Sequence, residues 1–195
     1  MTTHAMTAEP VNAPAIPTNK LAMWLFLASE VMFFTGLIGA YIVLRFGSPA
    51  WPTPGQFLVV PLGAINTFIL ICSSMTMVLA FKAADEGNVR QLQRYLLLTV
   101  LLGCAFLGIK AYEYSTKFAH GHFPNSSLYW SCYFTLTGFH GLHVLGGVIT
   151  NVVLWIRALR HRLPPQKSYV VELAGLYWHF VDIVWIFLFP MLYLM

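Results

Sequence analysis

LAMWLFLASEVMFFTGLIGAYIVL, residues 21–44, contains one charged residue, Glu30. An apolar run of this length crosses the hydrocarbon core of a bilayer as a helix. An acid at the centre of such a helix costs roughly 2.5–3.5 kcal/mol on insertion scales unless it is protonated or paired. The run therefore sets two expectations. The first span is a membrane helix, and Glu30 faces a polar partner instead of bare lipid.

The rest of the chain agrees with a membrane setting. Of its 195 residues 58% are hydrophobic and 9% charged, against about 25% charged in a soluble domain. Its mean hydropathy is +0.68. So few charges cannot cover a water-facing surface. The net charge of +4 is accounted for by basic inner loops and does not call for nucleic acid. Cys72, Cys104 and Cys132 lie far apart in apolar stretches without C-x-x-C spacing, so they read as small apolar residues and not as a zinc or redox site. Residues 1–19 are rich in Ala, Thr and Pro and lack the basic start and apolar core of a signal peptide. They read as a flexible N-terminal tail.

Residues 20–195 divide into five apolar segments, about 21–45, 58–82, 94–117, 126–157 and 173–195. Pro/Gly-rich or charged stretches separate them. The fold class expected is an all-α integral membrane protein with five transmembrane helices, without β-barrel alternation or internal repeat. Lys20, Lys82, Arg90, Arg94, Arg157, Arg160, Arg162 and Lys167 fall on one side of this layout, and Arg45 and Lys117 on the other. The positive-inside rule then places the N-terminus in the cytoplasm and the C-terminus in the periplasm. Trp51, Tyr129 and Trp130 lie near span ends, where aromatic belts form.

Further polar residues lie within the spans: Lys110 and Glu113 in the third, His140 and His143 in the fourth, His179 and Asp182 in the fifth. At about 1.5 Å per residue from the inner ends, Glu30 lies roughly 13 Å deep, His179 roughly 9 Å and Asp182 roughly 13 Å. Lys110, Glu113, His140 and His143 lie roughly 21–28 Å deep. This predicts an inner layer, with Glu30 facing Asp182 or His179, and an outer layer, with Lys110 facing Glu113 or the histidines. H-G-L-H (140–143) and H-F-V-D (179–182) each place two potential ligands at i, i+3 on one helix face. Spacing leaves three readings open: a carboxylate–histidine metal site, a proton relay, or interhelical hydrogen bonds that close a bundle. Gly138, Gly141, Gly146 and Gly147, and the Gly36/Ala40 pair, predict close helix approach.

Several segments together carry a resemblance. SEVMFFTG (29–36), INT (65–67), EGNVRQLQ (86–93), YEYS (112–115), TGFHGLHVLGG (137–147) and YWHFVDIVWIFLF (177–189) resemble subunit III of the haem–copper oxidases, most closely that of cytochrome c oxidase. The resemblance implies a non-catalytic subunit with no haem, copper or other metal of its own. Its partners would be the large subunit I, which carries haem and copper, together with subunit II, other small subunits and membrane phospholipid. It would stabilise the large subunit, sustain proton uptake, protect the centre against turnover damage and hold phospholipid near an oxygen route. The location implied is the bacterial inner membrane. Glu30 matches the family's buried, carbodiimide-reactive glutamate near a lipid cleft. Arg157 matches an arginine that holds a lipid phosphate, and Arg162 stands where mitochondrial relatives carry a histidine. Glu113, His140, His143, Glu172, His179 and Asp182 match recurrent positions read as structural, and with Lys110 they are expected to form an interhelical polar network. Mitochondrial members have seven spans. The five here match their last five, so the cleft would be open to the bilayer or closed by another chain. Related alternatives are subunit III of bo-type quinol oxidases, which usually carry an aspartate at the Glu30 position, and the accessory subunit of nitric oxide reductases. A self-sufficient transporter or membrane metalloenzyme is the opposite class. The first should show repeated halves with broken helices, and the second should hold metal in the isolated chain.

Overall fold

The computed structural model describes residues 17–49, 51, 59–160 and 168–194. These residues form α1 (Thr18–Gly47), α2 (Val60–Asp85), α3 (Val89–Ala119), α4 (Leu128–Leu159) and α5 (Ser168–Phe189), closed by a π-helical turn at Pro190–Leu194. All five helices are long and apolar enough to cross a membrane. α1 and α3 overrun the apolar segments read from sequence at both ends, whereas α2 and α4 are shifted two or three residues toward the C-terminus. Thr18 and Asn19, read as tail, open α1, and α3 starts at Val89 and so takes in Arg90. The reason is physical. Hydropathy marks the hydrocarbon slab, whereas a helix continues through the headgroup layer, where its polar side chains stay solvated. The tail at 1–16, most of the first loop, and the basic segment at 161–167 with Arg162 lie outside the described residues.

Local signals set the ends. Asn88 and Ser127 cap α3 and α4, their side-chain oxygens accepting from Gln91 N and Trp130 N. α2 and α3 both end in Schellman turns. Gly87 (φ 72°) and Gly121 (φ 76°) supply the left-handed residue. The N–H of Asn88 reaches Ala83 O at 2.9 Å, and that of His122 reaches Lys117 O at 3.0 Å. Pro190 has no N–H to donate, which ends the regular α5 ladder and starts the π turn.

α2 to α5 close into a four-helix bundle. α2 neighbours α3 and α5, and α4 neighbours α3 and α5. Each presents a continuous buried stripe at i, i+3/i+4 spacing, such as Leu92, Leu96, Val100, Gly103 and Phe106 on α3. At the centre Trp178 of α5 wedges between α3 and α4 and donates from Nε1 to Ser73 Oγ at 3.1 Å. A Cβ at Gly147 or Gly103 would fall 2.6 or 2.8 Å from its indole ring, so both positions need glycine. Close approach in the 137–148 run therefore centres on Gly147. At Gly36 and Gly141 an added Cβ meets nothing within 4 Å, so those two are not close-approach points within this chain.

α1 is attached differently. It lies against α4 and α5 and buries Leu27, Phe34 and Tyr41, one residue every seven. A period of seven on an α-helix is a narrow seam. The two sides of that seam leave Leu25, Met32, Val43 and Phe46 exposed.

Candidate functional site

The charge in the first span has a partner. Glu30 Oε2 lies 3.0 Å from Nε2 of His143 on α4, and both side chains are largely buried. The imidazole Nδ1 donates to the Phe139 carbonyl at 2.7 Å, and the rings of Phe33 and Phe34 flank it. Tyr177 donates its hydroxyl to the main-chain carbonyl of His143 at 3.1 Å. A carbonyl only accepts, so Nδ1 carries a hydrogen. The Glu30–His143 contact then has two forms. Either a neutral acid donates to a neutral ring, or an imidazolium donates to a carboxylate. Both forms share one proton and have zero net charge, which makes the site tolerable inside a membrane.

This pairing corrects the expectation that Glu30 faces Asp182 or His179. Depth counted from span ends assumes that the ends are level, and they are not. From the observed ends, Glu30 lies roughly 18 Å along α1 and His143 roughly 24 Å along α4, a difference that helix stagger and two side chains absorb. Direction matters as much. Asp182 lies on the buried stripe of α5 with Trp178 and Trp185, turned into the four-helix bundle. His179 lines the α1 side but gives its Nδ1 to Ser74 Oγ at 2.6 Å.

A second polar group lies where α3 ends and α4 begins. Glu113 Oε2 is 2.9 Å from Lys110 Nζ, and Oε1 is 2.9 Å from Lys117 Nζ. Tyr193 donates to the same carboxylate at 2.7 Å and Tyr133 at 3.0 Å. Lys110 also donates to the hydroxyls of Tyr133 and Tyr193. The expected Lys110–Glu113 pairing is present, without the histidines. Lys117, Tyr133 and Tyr193 were not anticipated. The signal was available for Lys117, because 106, 110, 113 and 117 continue the α3 stripe. Above this cluster Trp51, Tyr129 and Trp130 pack ring to ring. Tyr129 and Trp130 are buried, so these two are interior contacts and not a lipid-facing belt.

The remaining expected residues do not join one network. Glu172 pairs with Lys20 of α1, pinning the start of that helix. His140 is fully buried, stacked on Trp185 at 5.0 Å with Phe106 edge-on. His140 makes no hydrogen bond to another described group, and the polar neighbour of the buried Asp182 is Ser74. Arg157 is exposed near the end of α4. The pairs are thus dispersed, because helix direction sorts residues of similar depth onto different interfaces. Among the described residues no group of three or more His, Cys, Asp or Glu could hold a metal ion.

Apolar grooves run on either side of α1. One, of ≈ 390 Å³, lies between α1 and α5 and is lined by Trp24, Val31, Phe34, Ile38, His179 and Phe187 among others. A second lies beside Phe26, Gly146 and Tyr177.

The family model described as cytochrome c oxidase subunit III matches residues 11–195. The chain belongs to this family. It is 40% identical to cytochrome c oxidase subunit 3 of Corynebacterium diphtheriae, over 86% of this chain and 83% of that one. It is 35% identical to the subunit 3 of Alkalihalophilus pseudofirmus, over 100% of this chain and 95% of the relative. It is 36% identical to that of Thermostichus vulcanus, over 90% and 86%. The short five-helix form therefore matches relatives of its own length. As a subunit III the chain is a non-catalytic part of an oxidoreductase complex, and the cytochrome c oxidase reading fits better than the quinol oxidase or nitric oxide reductase alternatives.

Proposed function

We propose that this subunit III sits in the bacterial inner membrane beside the haem- and copper-bearing subunit I, with subunit II and other small subunits in the same complex, its N-terminus cytoplasmic and its C-terminus periplasmic. It stabilises subunit I and supports proton uptake and the access of lipid and oxygen. Residues 20–195 act as one bundle for this purpose. The observation that carries the reading is the geometry of α1. A helix held by a seven-residue seam leaves most of its apolar surface for lipid or a neighbouring subunit, and apolar grooves wide enough for acyl chains flank the helix that carries Glu30 of the Glu30–His143 pair. Glu30 is then a groove-side polar group, and Arg157 and Arg162 are the lipid-phosphate ligands where the basic end of α4 meets the headgroups. Lys110, Glu113, His140, His143, Glu172, His179 and Asp182 are structural polar residues. Orientation is supported by the excess of Lys and Arg at the α2–α3 and α4–α5 turns.

The test is co-purification. The tagged chain, extracted in mild detergent, is expected to bring a many-span haem-bearing subunit and a copper-bearing subunit, with haem bands in the optical spectrum. A pure chain with stoichiometric metal and no haem partner would overturn the proposal.

A further inference from the structure

Lys110, Glu113 and Lys117 lie on one buried face of α3. Two ammonium groups flank one carboxylate, so the cluster carries one positive charge in excess. Lys110 uses its three donors on Glu113, Tyr133 and Tyr193. Lys117 makes one hydrogen bond, to Glu113, and otherwise faces the Tyr133 and Trp130 rings. Its side chain is 7% exposed. A buried ammonium with donors to spare is costly unless an acceptor reaches it. The described acids do not supply one. Glu30 pairs with His143, Glu172 with Lys20 and Glu86 with Lys82. Asp85 ends α2 at the opposite end of the bundle, and Asp182 lies roughly 16 Å along α5 from Tyr193.

Lys117 also lines a pocket of ≈ 390 Å³ between the start of α2 and the end of α3, with Leu62, Glu113, Thr116 and His120. Unlike the grooves along α1, this pocket has a substantial polar lining. His120 Nδ1 contacts the Thr116 carbonyl at 2.7 Å and must donate to it, which leaves Nε2 for a ligand. Glu113 does not repel an anion strongly there, because both of its oxygens are engaged by Lys110, Lys117, Tyr133 and Tyr193.

We propose that this pocket binds a phosphate-type anion, with Lys117 supplying the charge and His120 standing at the rim. Two sources share that chemistry, the headgroup of an anionic phospholipid in the leaflet at this end and free inorganic phosphate. The inference does not depend on the oxidase role.

The test uses the intact complex that the chain purifies in, stripped of lipid by detergent exchange. Native mass spectrometry counts the molecules retained on titration with phosphatidylglycerol, phosphatidylcholine or inorganic phosphate. One phosphatidylglycerol per chain, beyond any held at the Arg157/Arg162 end, is expected to bind in preference to phosphatidylcholine. Lys117→Met should weaken it about tenfold or more, the loss of one charge-assisted contact, and Lys117→Arg should keep it. Leu62→Trp, which fills the pocket without altering charge, should also remove it, and this variant decides the matter if Lys117→Met fails to assemble. Competition by inorganic phosphate assigns the site to the free anion, and its failure to compete assigns it to the headgroup. Equal retention in the parent and in Leu62→Trp, with no competing phosphate, overturns the proposal. So does loss of a neighbouring subunit from Lys117→Met with an unchanged lipid count, which would make the missing acceptor an acidic side chain of that neighbour.

Discussion

Glu30 and His143 stabilise the fold as a pair more than as two separate residues. His143 is held against aromatic rings and Glu30 is bonded to it within a membrane-spanning helix, so removing one leaves the other with an unmet hydrogen bond. Replacing Glu30 by Leu, or His143 by Leu, should destabilise the protein by about 1–2 kcal/mol, the upper range for hydrogen bonds between membrane helices. The double variant should recover part of that loss, because no polar group is then stranded. A double-mutant cycle from unfolding in mixed micelles measures the coupling directly. Strict additivity of the two single changes would show that the contact contributes nothing. The sequence made the need for a partner clear, since an acid in a span has few alternatives. It did not identify the partner, because equal depth is shared by residues on several helices and only direction separates them. Asp182 illustrates this. It lies at a plausible depth but on the stripe of α5 that faces the bundle interior.

Among the elements, α1 is the outlier. In lipid there is no hydrophobic force between helices, so attachment depends on packing and on hydrogen bonds. α1 has one narrow seam, the Glu30–His143 contact, the Lys20–Glu172 pair and a bond from Tyr41 to the Met191 carbonyl. Phe34 is the middle of that seam, 2% exposed, against His143 and Phe180. Phe34→Ala should loosen α1 while leaving α2 to α5 intact. A cysteine at Leu27, in a background with Cys72, Cys104 and Cys132 replaced by Ser, should be inert to a membrane-permeant maleimide in the parent. It should become reactive with Phe34→Ala, while a cysteine at Met77 in the bundle core stays inert. Equal protection of the Leu27 position in both backgrounds would show that other contacts fix α1. The five helices were legible from hydropathy alone. Their packing was not, because the residues that decide it, Gly103 and Gly147 beneath Trp178, differ from other glycines only in what lies opposite.

At the scale of the whole molecule, the Glu30–His143 pair and the Lys110–Glu113–Lys117 cluster hold their charges at helix interfaces, and among the described residues there are no clustered metal ligands. Its family could be read from motifs such as GFHGLHV and WHFVDIVW, whereas composition indicated only a membrane protein. The separation of roles follows from the design. A non-catalytic subunit acts on an oxidase through the surfaces against which it packs. The oxidase should therefore reduce oxygen without it, but less durably. The measurement that tests this most directly is a continuous oxygen-consumption trace of the purified complex, with this subunit present and after its removal. Similar initial rates, within about twofold, and a steeper loss of activity with turnover in the depleted complex are expected. Abolition of the initial rate with the haem spectrum unchanged, or identical traces throughout, would contradict this division of roles.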